Sequence, residues 1–222
     1  VQLDFSGRPR QPRLSFRVET PNAVPVGHAL RDVRAAGRLT GMRLDIDELS
    51  ASQPSPSGLL TGSVSYDFDT SAYTATLQGT QWMLAPTADQ PLAGSVDLSF
   101  SGDGTVDSPR GTGKVTLRDG MWGEIALGSL DASVELDGQI AHVQAQASEF
   151  ATSASGRIEI RSPYQASIDA NVQELDLSRV LKYVSVPTTV TGTTTLTVHA
   201  DLPLEAWRTG GAPVDVGFTK AT

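Results

Sequence analysis

Hydrophobic and polar residues alternate along most of the chain. Clear examples are Val64-Ser-Tyr66-Asp-Phe68, Val96-Asp-Leu98-Ser-Phe100 and Ile158-Glu-Ile160. Because successive side chains of a β-strand point to opposite faces of a sheet, this pattern predicts strands with one apolar face and one polar face. Turn-forming pairs such as Asp119-Gly120 and Asp137-Gly138 are predicted to end the strands. The sequence therefore predicts a mostly β fold built from antiparallel strands.

Two segments depart from this alternation. Val26–Ala36 has apolar residues at helical spacing and is followed by Gly37, a typical C-terminal cap. Leu177–Val184 also has apolar residues on one helical face, with Ser178 as a possible N-cap. We therefore predict one or two short helices beside the strands.

The organisation of the chain favours a single β domain covering residues 1–222. A length of 222 residues suits one large β domain or two small ones. The alternation resumes in the same style after the Pro/Ser-rich loop Ala51–Gly58, which favours a single domain. The sequence opens at Val1 directly in an alternating stretch, without an initiator Met or a signal peptide. We interpret it as a segment of a longer protein, with any membrane anchor outside this segment.

Composition narrows the function classes. With 17 Lys+Arg against 25 Asp+Glu, the formal net charge is -8, so nucleic acid is not an expected partner. The absence of cysteine excludes disulfides, Cys-ligated zinc and thiol catalysis. No apolar run approaches the ~20 residues of a membrane-spanning helix.

The titratable residues do not suggest a catalytic or metal site. The three histidines are far apart and do not show metal-ligand spacing: His28, His142 and His199. The nearest carboxylate pairs are Asp45 with Asp47, and Glu124 with Asp131. Asp45 and Asp47 alternate with Leu44 and Ile46, which is typical of the solvated face of a strand. We expect neither an enzyme nor a cofactor or metal ion.

A family resemblance rests on the middle of the chain, from Leu92 to Leu177. Strands that begin at Gly are joined there by a crossover from Gly104 to Pro109 and by a G-x-V-x-L-x-D-G block, Gly113 to Gly120. A hairpin rich in Leu, Ala and Ser follows between Ala126 and Gly138. This pattern resembles the repeats of the TamB/AsmA-like proteins of Gram-negative envelopes and extends over residues 37–204.

The resemblance implies both a fold and a function. It implies an antiparallel sheet curled into a half-pipe, the β-taco, with an apolar concave face. It also implies a location in the periplasm and a role in carrying phospholipid between the inner and outer membranes. Such transport would support envelope integrity or outer-membrane assembly. A further implied partner is an outer-membrane barrel with POTRA domains.

Elementary physics is consistent with a lipid groove. An acyl chain needs a continuous apolar track, and each apolar strand face supplies one step of it, ~4.8 Å from the next. Small inward residues such as Ala145, Ala147 and Ala166 would leave room for the chain. The predicted lipid-groove residues are Val64, Tyr66, Phe68, Val96, Leu98, Phe100, Val115, Leu117, Val134, Leu136, Val143, Ile158, Ile160, Ile168, Leu196 and Val198.

The same alternation leaves alternatives open. In a closed β-sandwich the apolar face meets a second sheet and never contacts a ligand. Such a domain could be a structural or adhesive module of a surface protein, without a ligand. A carbohydrate-binding or hydrolytic sandwich would instead require clustered aromatic residues or an acid pair on one face. Open sheet edges also predict edge-to-edge self-association.

Overall fold

The structure is a computed structural model of the chain. It describes residues 2–8, 11–23, 30–54, 58–86, 91–162, 164–176, 192–203 and 215–221.

The described residues form strands almost throughout. A short 3-10 turn at Ser148–Phe150 lies between two of the strands, and this part of the chain contains no α-helix. The strands are β1 (Gln2–Arg8), β2 (Gln11–Ala23), β3 (Leu30–Thr40), β4 (Arg43–Ser52), β5 (Leu59–Asp67), β6 (Ala72–Leu84), β7 (Leu92–Thr105), β8 (Ser108–Trp122), β9 (Ile125–Asp137), β10 (Ile140–Ala147), β11 (Thr152–Glu159), β12 (Gln165–Asp176), β13 (Thr193–Pro203) and β14 (Asp215–Ala221).

Neighbouring strands in the sequence are also neighbours in the sheet. The hydrogen-bonded order runs from β1 to β14 without a crossover, and the pairs from β1 to β6 and from β9 to β14 are antiparallel. This confirms the prediction of a mostly β, antiparallel fold. By its contacts the chain divides into two compact units. Unit 1 comprises Val1–Ala85 and Ser95–Val115, and unit 2 comprises Pro86–Gly94 and Thr116–Thr222.

Turn chemistry closes the hairpins. Gly138, with φ of 60°, forms the tight turn between β9 and β10, as the Asp137-Gly138 pair predicts. The carboxylate of Asp67 accepts hydrogen bonds from the backbone N–H groups of Asp69 (3.0 Å) and Thr70 (2.9 Å) and orders the turn from β5 to β6. These local bonds hold the strands in register.

Three strands contain a non-glycine residue with positive φ that interrupts the alternation without ending the strand. These residues are Asp32 (φ 50°), Gln81 (φ 51°) and Asp119 (φ 51°). The predicted strand end at Asp119-Gly120 is therefore wrong, because β8 continues to Trp122. Around Asp32 an extra residue bulges out of the strand, and the pairing with β4 resumes beyond it.

The predicted helix at Val26–Ala36 is also wrong where the structure describes it, since Leu30 onward belongs to β3. The pairing of β3 with β4 shifts register between Arg31 and Arg34, around Asp32. This bulge inserts one residue into the period-two pattern, so that Leu30 and Val33 lie three positions apart and imitate helical spacing. Residues 26–29 and the second predicted helix, Leu177–Val184, lie outside the described residues.

Within the described residues, we find no helix with the length and apolar character required to cross a membrane.

Candidate functional site

In unit 1, the strand register places apolar side chains in continuous rows across six strands. Directly opposite residues of antiparallel strands share a face, so each row lies on one side of the sheet. One row runs Phe5, Leu14, Leu39, Leu44, Tyr66, Tyr73. The next runs Leu3, Phe16, Gly37, Ile46, Val64, Ala75. We call this side the apolar face of unit 1.

Unit 2 has the same organisation with smaller side chains. One row runs Val134, Val143, Gly156, Ile168, Ala200. The next runs Ala132, Ala145, Ala154, Ala170, Val198. A third runs Leu130, Ala147, Thr152, Val172, Leu196. We call this side the apolar face of unit 2.

Most of these apolar side chains remain partly accessible. Where the burial of the side chain is described, the fully buried large aliphatic residues are Val96, 8% exposed, and Leu117, 4% exposed. The other buried hydrophobic residues are alanines: Ala51, Ala141, Ala166 and Ala200. Both apolar faces thus keep hydrophobic surface that a further apolar partner can cover.

The structure places the sixteen predicted groove residues as follows. Val96 and Leu117 are buried, whereas Phe68 and Val115 are exposed, at 49% and 40%. Phe68 lies in the turn after β5, where its ring packs edge-to-face on Tyr66 at 4.9 Å between centroids. The remaining twelve are partly buried: Val64, Tyr66, Leu98, Phe100, Val134, Leu136, Val143, Ile158, Ile160, Ile168, Leu196 and Val198.

The register brings several of these residues together and adds others that were not predicted. Val134 lies directly opposite Val143, and Leu196 lies opposite Val172. In unit 1 the predicted Val64 and Tyr66 are joined by side chains of β2, β3 and β4. The signal for these additional residues was present in the sequence as the same alternation, for example Leu14-Ser-Phe16-Arg-Val18.

The opposite, polar face of unit 2 carries a histidine between two carboxylates. His199 Nδ1 lies 2.7 Å from Asp169 Oδ1, and His199 Nε2 lies 3.0 Å from Asp201 Oδ2. The hydrogen bond to Asp169, and then the one to Asp201, raise the pKa of His199 above its usual value of 6.5. The pKa of Asp201 is lowered in turn, first by a hydrogen bond from Ser167 and then by His199.

Sequence reasoning missed this cluster because Asp169 is 30 residues from His199 and reaches it only across the β12–β13 pair. The available signal for the cluster was Asp201, which lies two residues after His199 on the same strand. No group of three potential ligands among the described His, Cys, Asp and Glu residues is arranged to hold a metal ion.

The carboxylate pairs considered for catalysis have structural partners. Arg38 lies 3.6 Å from Asp45 and 3.6 Å from Asp47. Hydrogen bonds from Ser65 and Arg43 lower the pKa of Asp45. Asp131 accepts a hydrogen bond from Thr116 at 2.7 Å, and Glu124 is exposed in the turn after β8.

The polar faces also contain shallow depressions. In unit 1, a depression of about 550 Å³ is lined mainly by short polar side chains, among them Thr61, Thr76, Ser99 and Thr112. In unit 2, a depression of about 390 Å³ lies over β10, β11 and β12. The depression of unit 1 is also lined by Leu77 and Phe100, whereas that of unit 2 is lined by polar residues and alanines.

Comparison with known proteins gives no relative. No family model matches the chain, and no curated protein or solved structure is significantly similar to it.

Proposed function

We propose that this chain is a segment of a periplasm-spanning lipid conduit of a Gram-negative envelope, which carries phospholipid acyl chains along an apolar groove. In this proposal the sheet curls into a half-pipe with an apolar concave face. The observation that carries the proposal is the run of predominantly apolar rows across consecutive strands within each unit. Transport between the two membranes would support envelope integrity or outer-membrane assembly.

The energetics of acyl-chain binding suit such a surface. Removing apolar area from water contributes ~25 cal/mol per Å², or ~0.8 kcal/mol for each CH₂ group. Hydrophobic contact is non-directional, so a chain can be held without a specific pocket for the headgroup. The partly accessible side chains of the apolar faces supply the surface that this interaction needs.

The continuity of the rows supports movement as well as binding. A chain that shifts from one strand to the next exchanges one set of aliphatic contacts for a similar set, ~4.8 Å away. The middle row of unit 2 has short side chains that leave room for an acyl chain, because four of its residues are alanines: Ala132, Ala145, Ala154 and Ala170. A track of many similar weak contacts suits a conduit, since a lipid held too tightly would not be released.

The partners follow from the same proposal. The cargo is phospholipid. An outer-membrane barrel with POTRA domains is the proposed receptor for the conduit, and edge-to-edge pairing of exposed strands is the proposed mode of self-association.

Extraction of lipid from vesicles tests the proposal with adjacent residues on opposite faces. Leu98 packs over Gly79 on the apolar face of unit 1, where an added Cβ would lie 2.8 Å from Leu98 Cγ, and Ser99 is exposed on the polar face. We expect delipidated protein to extract NBD-labelled phosphatidylethanolamine from vesicles. Leu98→Glu should lower the amount bound at least tenfold, whereas Ser99→Glu should bind as the wild type does.

A second pair repeats the test in unit 2. Val143 lies on the apolar face, and Gln144 is exposed on the polar face. Circular dichroism and thermal unfolding must show that each variant is folded. If folded wild-type protein extracts no lipid, or if Leu98→Glu and Val143→Glu both extract as much as the wild type, the conduit is wrong. A closed sandwich that serves as a structural module would then be the better account.

A further inference from the structure

A trough on the polar face of unit 2 has the features of a binding site. It is the depression of about 390 Å³, and we define it by six side chains: Gln144, Gln146, Ser153, Ser155, Asp169 and Asn171. The register places these residues in two adjacent cross-strand rows, Gln144–Ser155–Asp169 and Gln146–Ser153–Asn171. Three neighbouring strands therefore contribute two residues each.

Side-chain length explains the shape of the trough. The central strand, β11, contributes the short side chains of Ser153 and Ser155. The long glutamines of β10 stand on one side, and Asp169 and Asn171 of β12 stand on the other. Strands two apart are separated by about 10 Å, which is wide enough for a pyranose ring between the two walls.

The lining is rich in hydrogen-bonding groups and poor in charge. Three amides and two hydroxyls supply both donors and acceptors, and Asp169 is the only charged member. Asp169 already accepts a hydrogen bond from His199 through Oδ1. The lining has no Lys, Arg or His, and the neighbouring His199 is already paired with Asp169 and Asp201, so the trough does not favour phosphate or another anion. A single carboxylate is a poor cation site.

One polar atom in the trough has no partner. Asn171 Oδ1 is fully buried and makes no hydrogen bond within the described part of the chain. A buried acceptor without a donor is unfavourable, and native proteins usually satisfy such atoms with a water or a ligand. Because Oδ1 has no accessible surface in this conformation, a rotation of the Asn171 side chain must first bring it to the trough, where a ligand hydroxyl would supply the missing donor.

We propose that this trough binds a neutral saccharide of one or two rings, whose hydroxyl groups bond to the amides and to Asp169. The site lies on the face opposite the proposed lipid groove and does not depend on it. No aromatic side chain lines the trough, so it is not the aromatic platform expected of a dedicated carbohydrate-binding sandwich, and binding relies on hydrogen bonds alone. A few neutral hydrogen bonds, each modest in water, give an expected Kd on the order of 1 mM.

Two-dimensional ¹⁵N NMR of the full chain tests the site with cellobiose and N,N′-diacetylchitobiose as probes. We expect one of these disaccharides to shift the side-chain amide signals of Asn171, Gln144 and Gln146 in a saturable manner at concentrations up to about 20 mM, well above the expected Kd. Asn171→Ala should weaken binding about tenfold. Gln146→Ala, at an exposed position, should weaken it severalfold.

Gln78→Ala is the matched control, because Gln78 is an exposed glutamine that lines the separate depression of unit 1. It should leave the Kd unchanged. If Asn171→Ala does not fold, Gln146→Ala decides the test. The proposal is overturned if neither disaccharide shifts the amide signals, which would mean that only water fills the trough. It is equally overturned if Gln146→Ala binds as tightly as the wild type.

Discussion

In some apolar rows, a single glycine leaves room for the close approach of a neighbouring strand. Gly37 lies between Phe16 and Ile46 in its row. A Cβ at this position would collide with the backbone oxygen of Asp45 and would lie 3.0 Å from the Cα of Ile46. Backbone atoms cannot move aside as the end of a flexible side chain can, so the position requires glycine.

We therefore expect Gly37→Ala to lower the free energy of unfolding by about 1–3 kcal/mol. Gly156 is the matched control, because its added Cβ would come no closer than 3.3 Å to any atom, the backbone oxygen of Ser167. Gly156→Ala should change stability by less than about 0.5 kcal/mol. Urea unfolding of the two variants measures the difference, and equal effects would contradict this account of the rows.

His199 gives the fold a specific pH dependence. Because hydrogen bonds to Asp169 and Asp201 raise its pKa above 6.5, the folded state binds the proton more tightly than the unfolded state does. The stabilisation is complete below pH 6.5 and is lost as the pH rises through the raised pKa. We expect the Tm to fall over this range in the wild type and to fall less in His199→Gln.

His142→Gln serves as the control, since His142 is an exposed histidine on the same face, opposite Arg157. Thermal unfolding between about pH 6 and pH 9, in constant ionic strength, measures both profiles. A His199→Gln profile with the full wild-type slope would show that the histidine cluster does not couple to folding.

At the scale of elements, a bulge shifts the alternation of apolar and polar residues by one position. Asp32 has φ of 50°, a left-handed conformation that glycine adopts freely and β-branched residues adopt at a cost. Its side chain is exposed, so substitution there changes mainly the backbone preference.

Asp32→Val should therefore destabilise the protein by about 1–2 kcal/mol, because a branched side chain opposes the left-handed conformation. Asp32→Gly should be neutral or slightly stabilising. Denaturant unfolding compares the two variants. If valine is tolerated as well as glycine, the bulge does not fix the register of β3.

The same bulges mark the limit of what the sequence predicts. Strand content and antiparallel pairing follow from alternation and turn residues, as in β5, β7 and β11. The segment around Asp32 is misread as a helix, since an inserted residue turns a period of two into a spacing of three. No residue type identifies such an insertion in advance, because Asp is common in exposed strands and in turns alike.

The candidate sites were predictable to different degrees. Membership of the apolar faces depends on the parity of positions within one strand, which the sequence shows directly for residues such as Val143 and Ile168. The trough and the histidine cluster depend on which strands are opposed and in what register. Asn171 faces Ser153 across β11 and β12, and His199 reaches Asp169 across 30 residues of sequence. Local pattern carries no information on either pairing.

At the scale of the molecule, both units repeat one design, an apolar face opposite a polar face. The polar faces combine short hydroxyl and amide side chains with paired charges, and the whole chain carries a net charge of -8. Such a surface keeps one side of the sheet hydrated while the other retains accessible hydrophobic area. The proposed conduit requires that phospholipid reach this hydrophobic side.

Site-specific photocrosslinking tests this requirement most directly. A photoreactive amino acid is placed at Val143 and Ile168 on the apolar face of unit 2, and at their neighbours Gln144 and Ser167 on the polar face. The protein is produced in the periplasm of a Gram-negative host, irradiated, purified and analysed by mass spectrometry. We predict phospholipid adducts at positions 143 and 168 and none at positions 144 and 167. The absence of adducts at both apolar positions, or equal labelling of the two faces, would contradict the account.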